Sequence, residues 1–318
     1  MTNVIKNGQH NRQYEMSEGV LAYTINNIGT IGDGTEEKKT ETGLCITDYT
    51  GNDGALSLPS YIDGYPVYAI GKKAFFGNRQ LQQIVLPDTI QLIGDWAFAR
   101  CYMLREIVLP KRKIRLGNQV FLQSKLLEKI SFAGCGRELA RLLAAAAVAL
   151  GAEYLIEPVL TGNDNWCERL DARILAFLGE SEESVLKDLV YCAEEDMGAK
   201  QEACLRKQAH RKAEIVFLRL SAPVGMSASI RQILTDYLRQ RTKGCRDEAA
   251  WETIKECSGD AQRYLNILYE IGAVHEENIT EMLEDLEEGH IELKAFLLRI
   301  WQDKQGGQAV WESLRLEG

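Results

Sequence analysis

The side chains in this sequence that could do chemistry are eight cysteines, four histidines and forty-six acidic residues, and their spacing decides which chemistry is open to them. Cys45, Cys101, Cys135, Cys167, Cys192, Cys204, Cys245 and Cys257 form no CxxC pair, and no histidine stands at a zinc-ligand interval from them. Reduced thiols are therefore expected. His10, His210, His275 and His290 are never three to five residues apart, and His275 follows Gly272-Ala273-Val274 at a predicted helix start, where capping accounts for it. Carboxylate runs such as Glu194-Glu195-Asp196 and Glu284-Asp285-x-Glu287-Glu288 fall on predicted exposed faces and turns. General acid–base work needs two buried carboxylates at a controlled separation, whereas a solvated acidic face suits a basic partner. Gly29-Thr30-Ile31-Gly32-Asp33-Gly34 superficially matches a phosphate loop, but Thr35-Glu36-Glu37-Lys38-Lys39 and a further strand follow it, not the helix N-terminus that phosphate needs. It reads as a hairpin tip. With no Gly-x-Ser-x-Gly elbow and no cysteine beside a base, the sequence offers no nucleophile, cofactor or metal motif, and the expectation is a protein that is not an enzyme.

One basic cluster stands out. Lys111-Arg112-Lys113-Ile114-Arg115 is backed by Arg100, Arg105, Lys125 and Lys129, so residues 100–130 hold eight basic and two acidic side chains. The net charge of −9 is uneven: residues 1–136 carry 15 Lys/Arg against 13 Asp/Glu, and residues 137–318 carry 22 against 33. The cluster then either pairs with the acidic half it adjoins or is a patch for an anionic ligand. The acidic half repels a phosphate backbone, so no nucleic-acid partner is expected. Met1 to Tyr23 has no apolar h-region, and the longest apolar run, Leu142 to Leu150, is too short to cross a bilayer. A cytoplasmic location is expected, and a surface location would need a leader beyond this sequence.

These residues must be positioned by a repeat. Ala69-Ile70-Gly71 leads to Ala74-Phe75, Leu92-Ile93-Gly94 to Ala97-Phe98, and Arg115-Leu116-Gly117 to Val120-Phe121, each displaced by 23 residues. Leu81/Leu104/Leu127, Ile84/Ile107/Ile130, Leu86/Leu109/Phe132 and Pro87/Pro110 keep the same interval. A 23-residue unit has too little apolar surface to fold alone, so it must stack on its neighbours as a solenoid. Leu81, Ile84 and Leu86 around Gln83 and Val85 have the alternation of a short strand with one buried face, and stacking gives a parallel sheet. The prolines end the strands, and Gly71, Gly94 and Gly117 mark positive φ or a close backbone approach. The outward rows Gln83/Glu106/Lys129 and Val85/Val108/Ser131 are the candidate protein-binding positions. Lys111, Arg112, Lys113 and Arg115 are the candidate basic patch.

On these motifs, residues 56–132 resemble the BspA-type, or treponemal, leucine-rich repeat. Leu58-Pro59-Ser60-Tyr61-Ile62-Asp63-Gly64-Tyr65-Pro66-Val67 resembles its hairpin-like entry unit. Tyr23-Thr24-Ile25 and Leu44-Cys45-Ile46-Thr47 read as two strands of the β-cap that precedes such arrays. The resemblance implies a non-enzymatic interaction or scaffolding module, or a surface adhesin if the protein is exported. The third unit departs from the pattern, with Lys111-Arg112-Lys113 after its proline and Arg115 at the place of Leu92, and it reads as terminal, docking onto helices.

From Arg137 onward apolar residues recur at intervals of three and four. Helices are predicted at Arg137–Ala152, Cys167–Leu178, Glu182–Glu195, Lys200–Leu220, Ser227–Thr242, Asp247–Cys257, Asp260–Ile271, Glu276–Glu287 and Ile291–Gln302. Gly179, Gly244, Gly272 and Gly289 mark ends, and Ser181, Ser227 and Asp260 mark starts. Residues 166–304 resemble the uncharacterised helical region that follows these repeats in proteins of gut-type Firmicutes. The fold class expected is α+β: a β-cap over 1–55, a short repeat solenoid over 56–136 and a helical-hairpin or α-solenoid-like domain over 137–318. That last part is the place for an uncharacterised enzyme or effector, if there is one, with the repeats as its targeting arm.

Overall fold

The computed structural model describes residues 4–6, 9–28, 41–163, 165–183, 197–243, 245, 248–257, 259–286 and 289–302. The chain divides into two compact units, Met1–Arg173 and Ile174–Gly318. The architecture is α+β, with a β-solenoid of about four turns over residues 44–131 and helices after it.

The first unit opens with four antiparallel cap strands, β1 (Val4–Lys6), β2 (Gln9–Glu15), β3 (Gly19–Ile28) and β4 (Glu41–Gly51). Then come β5 (Ala55–Ser57), β6 (Tyr61–Ile62), β7 (Tyr65–Ile70), β8 (Gln83–Val85), β9 (Leu92–Ile93), β10 (Glu106–Val108), β11 (Arg115–Leu116) and β12 (Lys129–Ser131). Each turn of the chain places one strand in each of two parallel ladders, β4-β7-β9-β11 and β5-β8-β10-β12. Three turns follow the 23-residue columns. The added turn is built from β4, which pairs in parallel with β7 through a bulge between Leu44 and Cys45, and from β5, which pairs with β8. Tyr61–Ile62 and Tyr65–Ile70 form the entry hairpin, closed by Asp63 (φ 50) and Gly64 (φ 82), both left-handed as a two-residue turn demands.

Between the ladders lies the core. Leu81, Leu104, Ile84, Ile107 and Ile130 are fully buried, and beside them Phe75, Phe98 and Phe121 stack at centroid distances of 5.1 and 6.1 Å. Tyr49 extends this stack into the added turn, 5.4 Å from Phe75. The glycine column follows from close approach. A Cβ on Gly94 would lie 2.7 Å from the Lys72 nitrogen, and one on Gly117 2.5 Å from that of Asp95. The left-handed positions fall elsewhere, at Lys73, Trp96 and Gln119 and at Gly77, Arg100 and Gln123, again 23 residues apart. Each such non-glycine residue costs on the order of 1 kcal/mol. The inter-coil ladder holds them: Lys73 N–H bonds Asp95 O, Trp96 N–H bonds Asn118 O and Arg100 N–H bonds Leu122 O.

A polar column runs through the interior as well. Ser124 Oγ donates to Phe98 O at 2.7 Å and accepts from Cys101 N, while the Cys101 thiol donates to Phe75 O. Burial pushes that thiol up to about 12, which removes the thiolate needed for reactivity. None of the described cysteines is in a disulfide.

Two buried tyrosines fasten the cap. Tyr49 donates to Asp53 at 2.5 Å, and Tyr23 donates to Asp63 in the entry hairpin. Burial, with the neighbouring carboxylate, pushes both phenols up to about 12. Because the folded state keeps these protons longer than the unfolded chain, the stability they confer is complete below about pH 10 and falls as pH rises towards 12. Each phenol should contribute a slope of about 1.4 kcal/mol per pH unit in that window. Urea titrations at pH 9, 10 and 11 check this, and Tyr49→Phe should flatten the decline; a profile identical to wild type removes Tyr49 as a cause.

At the far end, α1 (Arg137–Val148) packs on β12, as expected of a terminal third unit docked onto helices. Phe75 N–H bonds Ala97 O and Phe98 N–H bonds Val120 O, but Phe121 has no further coil to donate to. The Glu153 carboxylate takes its N–H instead, at 3.5 Å, with its pKa raised by burial. A short helix that the sequence periodicity did not predict, α2 (Ile156–Thr161), follows, and Pro158 fits its first turns because no intrahelical N–H is needed there.

The helices that follow among the described residues are α3 (Trp166–Leu178), which crosses the boundary between units, then α4 (Met197–Ser221), α5 (Ala228–Gln240), α6 (Ala249–Glu256), α7 (Ala261–Glu270), α8 (Glu276–Asp285) and α9 (291–302). Ser227 caps α5 by accepting from Ile230 N, and Gly272 (φ 73) ends α7. Asp260 precedes α7 without a side-chain cap bond, and Gly179 and Gly289 have no left-handed φ. The second unit packs around Phe217, Trp251, Tyr264 and Leu265, with Phe217 and Tyr264 stacked at 4.5 Å. The predicted helix at Glu182–Glu195, the Gly29–Gly34 loop and Gly244 lie largely or wholly outside the described residues.

Candidate functional site

The parallel ladder β5-β8-β10-β12 turns its alternate side chains outward, and its registers align the candidate rows: Gln83, Glu106 and Lys129 are mutual partners, as are Val85, Val108 and Ser131. All six are half-buried, standing at the surface while Ile84, Ile107 and Ile130 between them point inward.

Beside the first row is a groove of about 470 Å³ lined by Gly54, Ala55, Gln82, Gln83, Arg105, Glu106, Glu128 and Lys129. Its shape comes from the backbone. Gln82 N–H and Gln83 N–H both bond Gly54 O, those of Arg105 and Glu106 both bond Gln82 O, and those of Glu128 and Lys129 both bond Arg105 O. Each coil therefore makes the same sharp entry into its strand, and two adjacent side-chain columns open outward at each step. Charge alternates along both columns. Arg105 pairs with Glu128, Lys129 Nζ lies 3.8 Å from Glu106, and Ser131 Oγ donates to Glu106 at 3.3 Å. Such exposed pairs are worth only about 0–1 kcal/mol each, so a ligand can break them cheaply. The face offers donors and acceptors of both signs in a row, next to the short apolar stretch of Val85 and Val108.

Sequence reasoning found one of these columns and missed its neighbour, Gln82/Arg105/Glu128. The signal was present in the same 23-residue spacing, but the strict alternation of a strand assigns residue 82 no face. The backbone bifurcation at Gly54, Gln82 and Arg105 is what turns it outward.

The basic patch runs from the turn after β10 into the start of β11, with Lys111, Arg112, Lys113 and Arg115 all exposed. Arg112 donates to Asp88 O at 2.9 Å, and Lys113 lies 3.8 Å from Glu157. Among the described residues, Lys113 thus has an acidic neighbour in the short helix that follows the repeats.

In the second unit an open cleft of about 510 Å³ is lined by Glu202, Ala203, Arg206, Lys207, His210 and Glu256, with His210 Nδ1 at 3.1 Å from Glu256 and Arg206 at 3.3 Å from Glu202. His275 stands at the N-cap of α8, where its N–H bonds Asn278 Oδ1 at 2.8 Å, and His290 Nε2 contacts Lys255 O at 3.1 Å. Asp285 belongs to a run expected to be solvated, yet it accepts from Trp251 Nε1 at 2.8 Å and pairs with Lys255 at 2.6 Å, a structural role inside the helical packing. Among the described residues there is no group of three or more His, Cys, Asp or Glu able to hold a metal ion, and no helix long and apolar enough to cross a membrane.

Comparison with known proteins matches residues 57–138 to the BspA type leucine rich repeat region, in six copies. No curated protein matches the chain. Among solved structures, a leucine rich repeat protein of T. pallidum is 38% identical over 28% of this chain and 42% of its own, with a TM-score of 0.27. A leucine rich cell surface protein of Faecalibacterium prausnitzii is 22% identical over 38% of this chain and 31% of its own, with a TM-score of 0.28. A leucine-rich repeat protein of Bacteroides capillosus is 20% identical over 38% of this chain and 99% of its own, with a TM-score of 0.25. The chain spans less than half the length of the first two. The family match overlaps the coils of the solenoid: residues 57–138 match the BspA type leucine rich repeat, a kind of repeat that implies a module for protein–protein interaction or adhesion.

Proposed function

We propose that the protein is a non-enzymatic scaffold that binds a protein partner on the outer face of the β5-β8-β10-β12 ladder. The observation that carries this reading is the in-register pair of rows, Gln83/Glu106/Lys129 and Val85/Val108/Ser131, beside a groove whose charges are only weakly paired to one another. A rigid row of this kind loses little conformational entropy when it binds, which favours recognition. The cleft at His210 supports an enzymatic reading less well, since it is open to solvent.

Val85→Lys combined with Val108→Glu tests the reading. The two new side chains face each other across the ladder with opposite charge, which preserves the sheet, while the apolar strip is lost. The partner enriched by wild-type protein from the native host should bind the double variant at least about 10-fold more weakly, the effect of removing an interface hot spot. Unchanged affinity with an unchanged circular dichroism spectrum would remove this face from the interface.

A further inference from the structure

The turns that carry the left-handed residues form a second surface, separate from the ladder face. Along the chain, the first of these turns carries Lys72, Lys73 and Arg79 with Phe76, the second Arg100 with Tyr102 and Met103, and the third Lys125 with Leu122 and Leu126. All five cations are exposed, and the five apolar side chains are each 38–43% exposed. Over segments 72–80, 95–103 and 118–126 the one acidic residue is Asp95, whose carboxylate is already engaged by Asn118 N at 2.8 Å. The surface is ordered as well as charged. Lys72 sits 4.8 Å from the Trp96 ring, Lys73 5.3 Å and Arg100 5.6 Å from the Phe76 ring, and Arg100 also donates to Gln123 one coil on.

We propose that this edge docks on an anionic lipid bilayer. The apolar tips decide between anionic partners. An acidic polysaccharide or a nucleic acid would engage the cations but gain nothing from Met103, Leu122 and Leu126, and the faces of Phe76 and Trp96 are already covered by this chain's own lysines and arginine. An acidic peptide is better served by a groove, such as the one on the ladder face. A bilayer interface takes aromatic and aliphatic tips at headgroup depth and draws lysine and arginine to its phosphates. With a net charge of −9 on the whole chain, an anionic surface is met by a cationic part, and of the two cationic areas described, this edge and Lys111 to Arg115, this edge is the one whose segments carry exposed apolar tips. The proposal does not rest on the ladder face binding a protein.

Co-sedimentation of the full chain with vesicles tests it. Binding is expected to vesicles of phosphatidylcholine mixed with phosphatidylglycerol, to weaken as salt shortens the Debye length, and to be much weaker on phosphatidylcholine alone. A triple variant, Lys72→Gln with Arg79→Gln and Lys125→Gln, leaves the left-handed Lys73 and Arg100 in place. At about 5-fold per cation it should bind about 100-fold more weakly with an unchanged melting temperature. Met103→Ser with Leu126→Ser should also lose binding, at low salt as well as high. No sedimentation with phosphatidylglycerol vesicles at low salt, undiminished binding by the triple variant, or capture of a polyglutamate peptide in place of vesicles would each overturn the proposal. The ladder variant Val85→Lys/Val108→Glu should bind vesicles as wild type does, which separates this failure from that of the scaffold reading.

Discussion

Gly94→Ala is expected to destabilise the repeat unit by about 3 kcal/mol, at the upper end of the usual overpacking penalty, and to lower its melting temperature by roughly 10 °C. The added methyl would meet the backbone of the preceding coil, with the Lys72 nitrogen at 2.7 Å and the Gly71 carbonyl carbon at 2.9 Å. A flexible side chain could swing aside. Backbone can move only by prising two coils apart, and that stretches the bonds from Gly94 N to Ile70 O and from Lys73 N to Asp95 O on either side. Gly289→Ala is the matched control, because nothing lies within 4 Å of its Cβ position and its φ is not left-handed. Differential scanning calorimetry of the two variants should show one lowered transition and one unchanged. A Gly94→Ala protein that melts with wild type would mean the coils are not packed as closely as these distances require.

Phe98→Ala should be at least as damaging, about 3–5 kcal/mol. Its ring is fully buried and stacks on Phe75 on one side and Phe121 on the other, so truncation opens a cavity in the middle of the column. Each lost ring pair adds about 0.5–1.5 kcal/mol beyond the area term. Phe121→Ala, with a ring partner on one side only, should cost less by about one such pair. Equal urea midpoints for the two variants would show that the stack contributes nothing beyond burial.

Both predictions rest on columns that the amino-acid sequence displays by itself, because a solenoid repeats its environment. Gly71/Gly94/Gly117 and Phe75/Phe98/Phe121 are each three readings of one constraint. The added turn was hidden because it has no such redundancy: β4 belongs to the antiparallel cap on one side and to the parallel ladder on the other, and Tyr49 reaches the phenylalanine column from a different offset. The left-handed positions were hidden for another reason. Lys73, Trp96, Arg100, Gln119 and Gln123 are not residues that announce positive φ, and it is bonds between coils, absent from any local pattern, that hold Lys73, Trp96 and Arg100 there. The candidate site was half legible. Alternation gives the Gln83 and Val85 rows, but the Gln82/Arg105/Glu128 column depends on a shared carbonyl, and the turn edge depends on cation–ring contacts between coils, neither of which has a local pattern. In the helical half, periodicity and caps located most of the described helices, while the duty of Asp285 required knowing that Trp251 and Lys255 come to it from another helix.

The carboxylate of Glu153 occupying the place of a missing coil has a consequence for how such a protein can change its length. The junction at the cap is made by Leu44 to Ile46 and Tyr49, the junction at the helices by β12, Phe121 and Glu153, and the interfaces between them are built from the same glycine and phenylalanine columns. Each of these junctions is made with the coil beside it. Duplication or loss of one 23-residue stretch therefore leaves both seals intact, and array length becomes a freely adjustable ruler between a fixed beginning and a fixed stop.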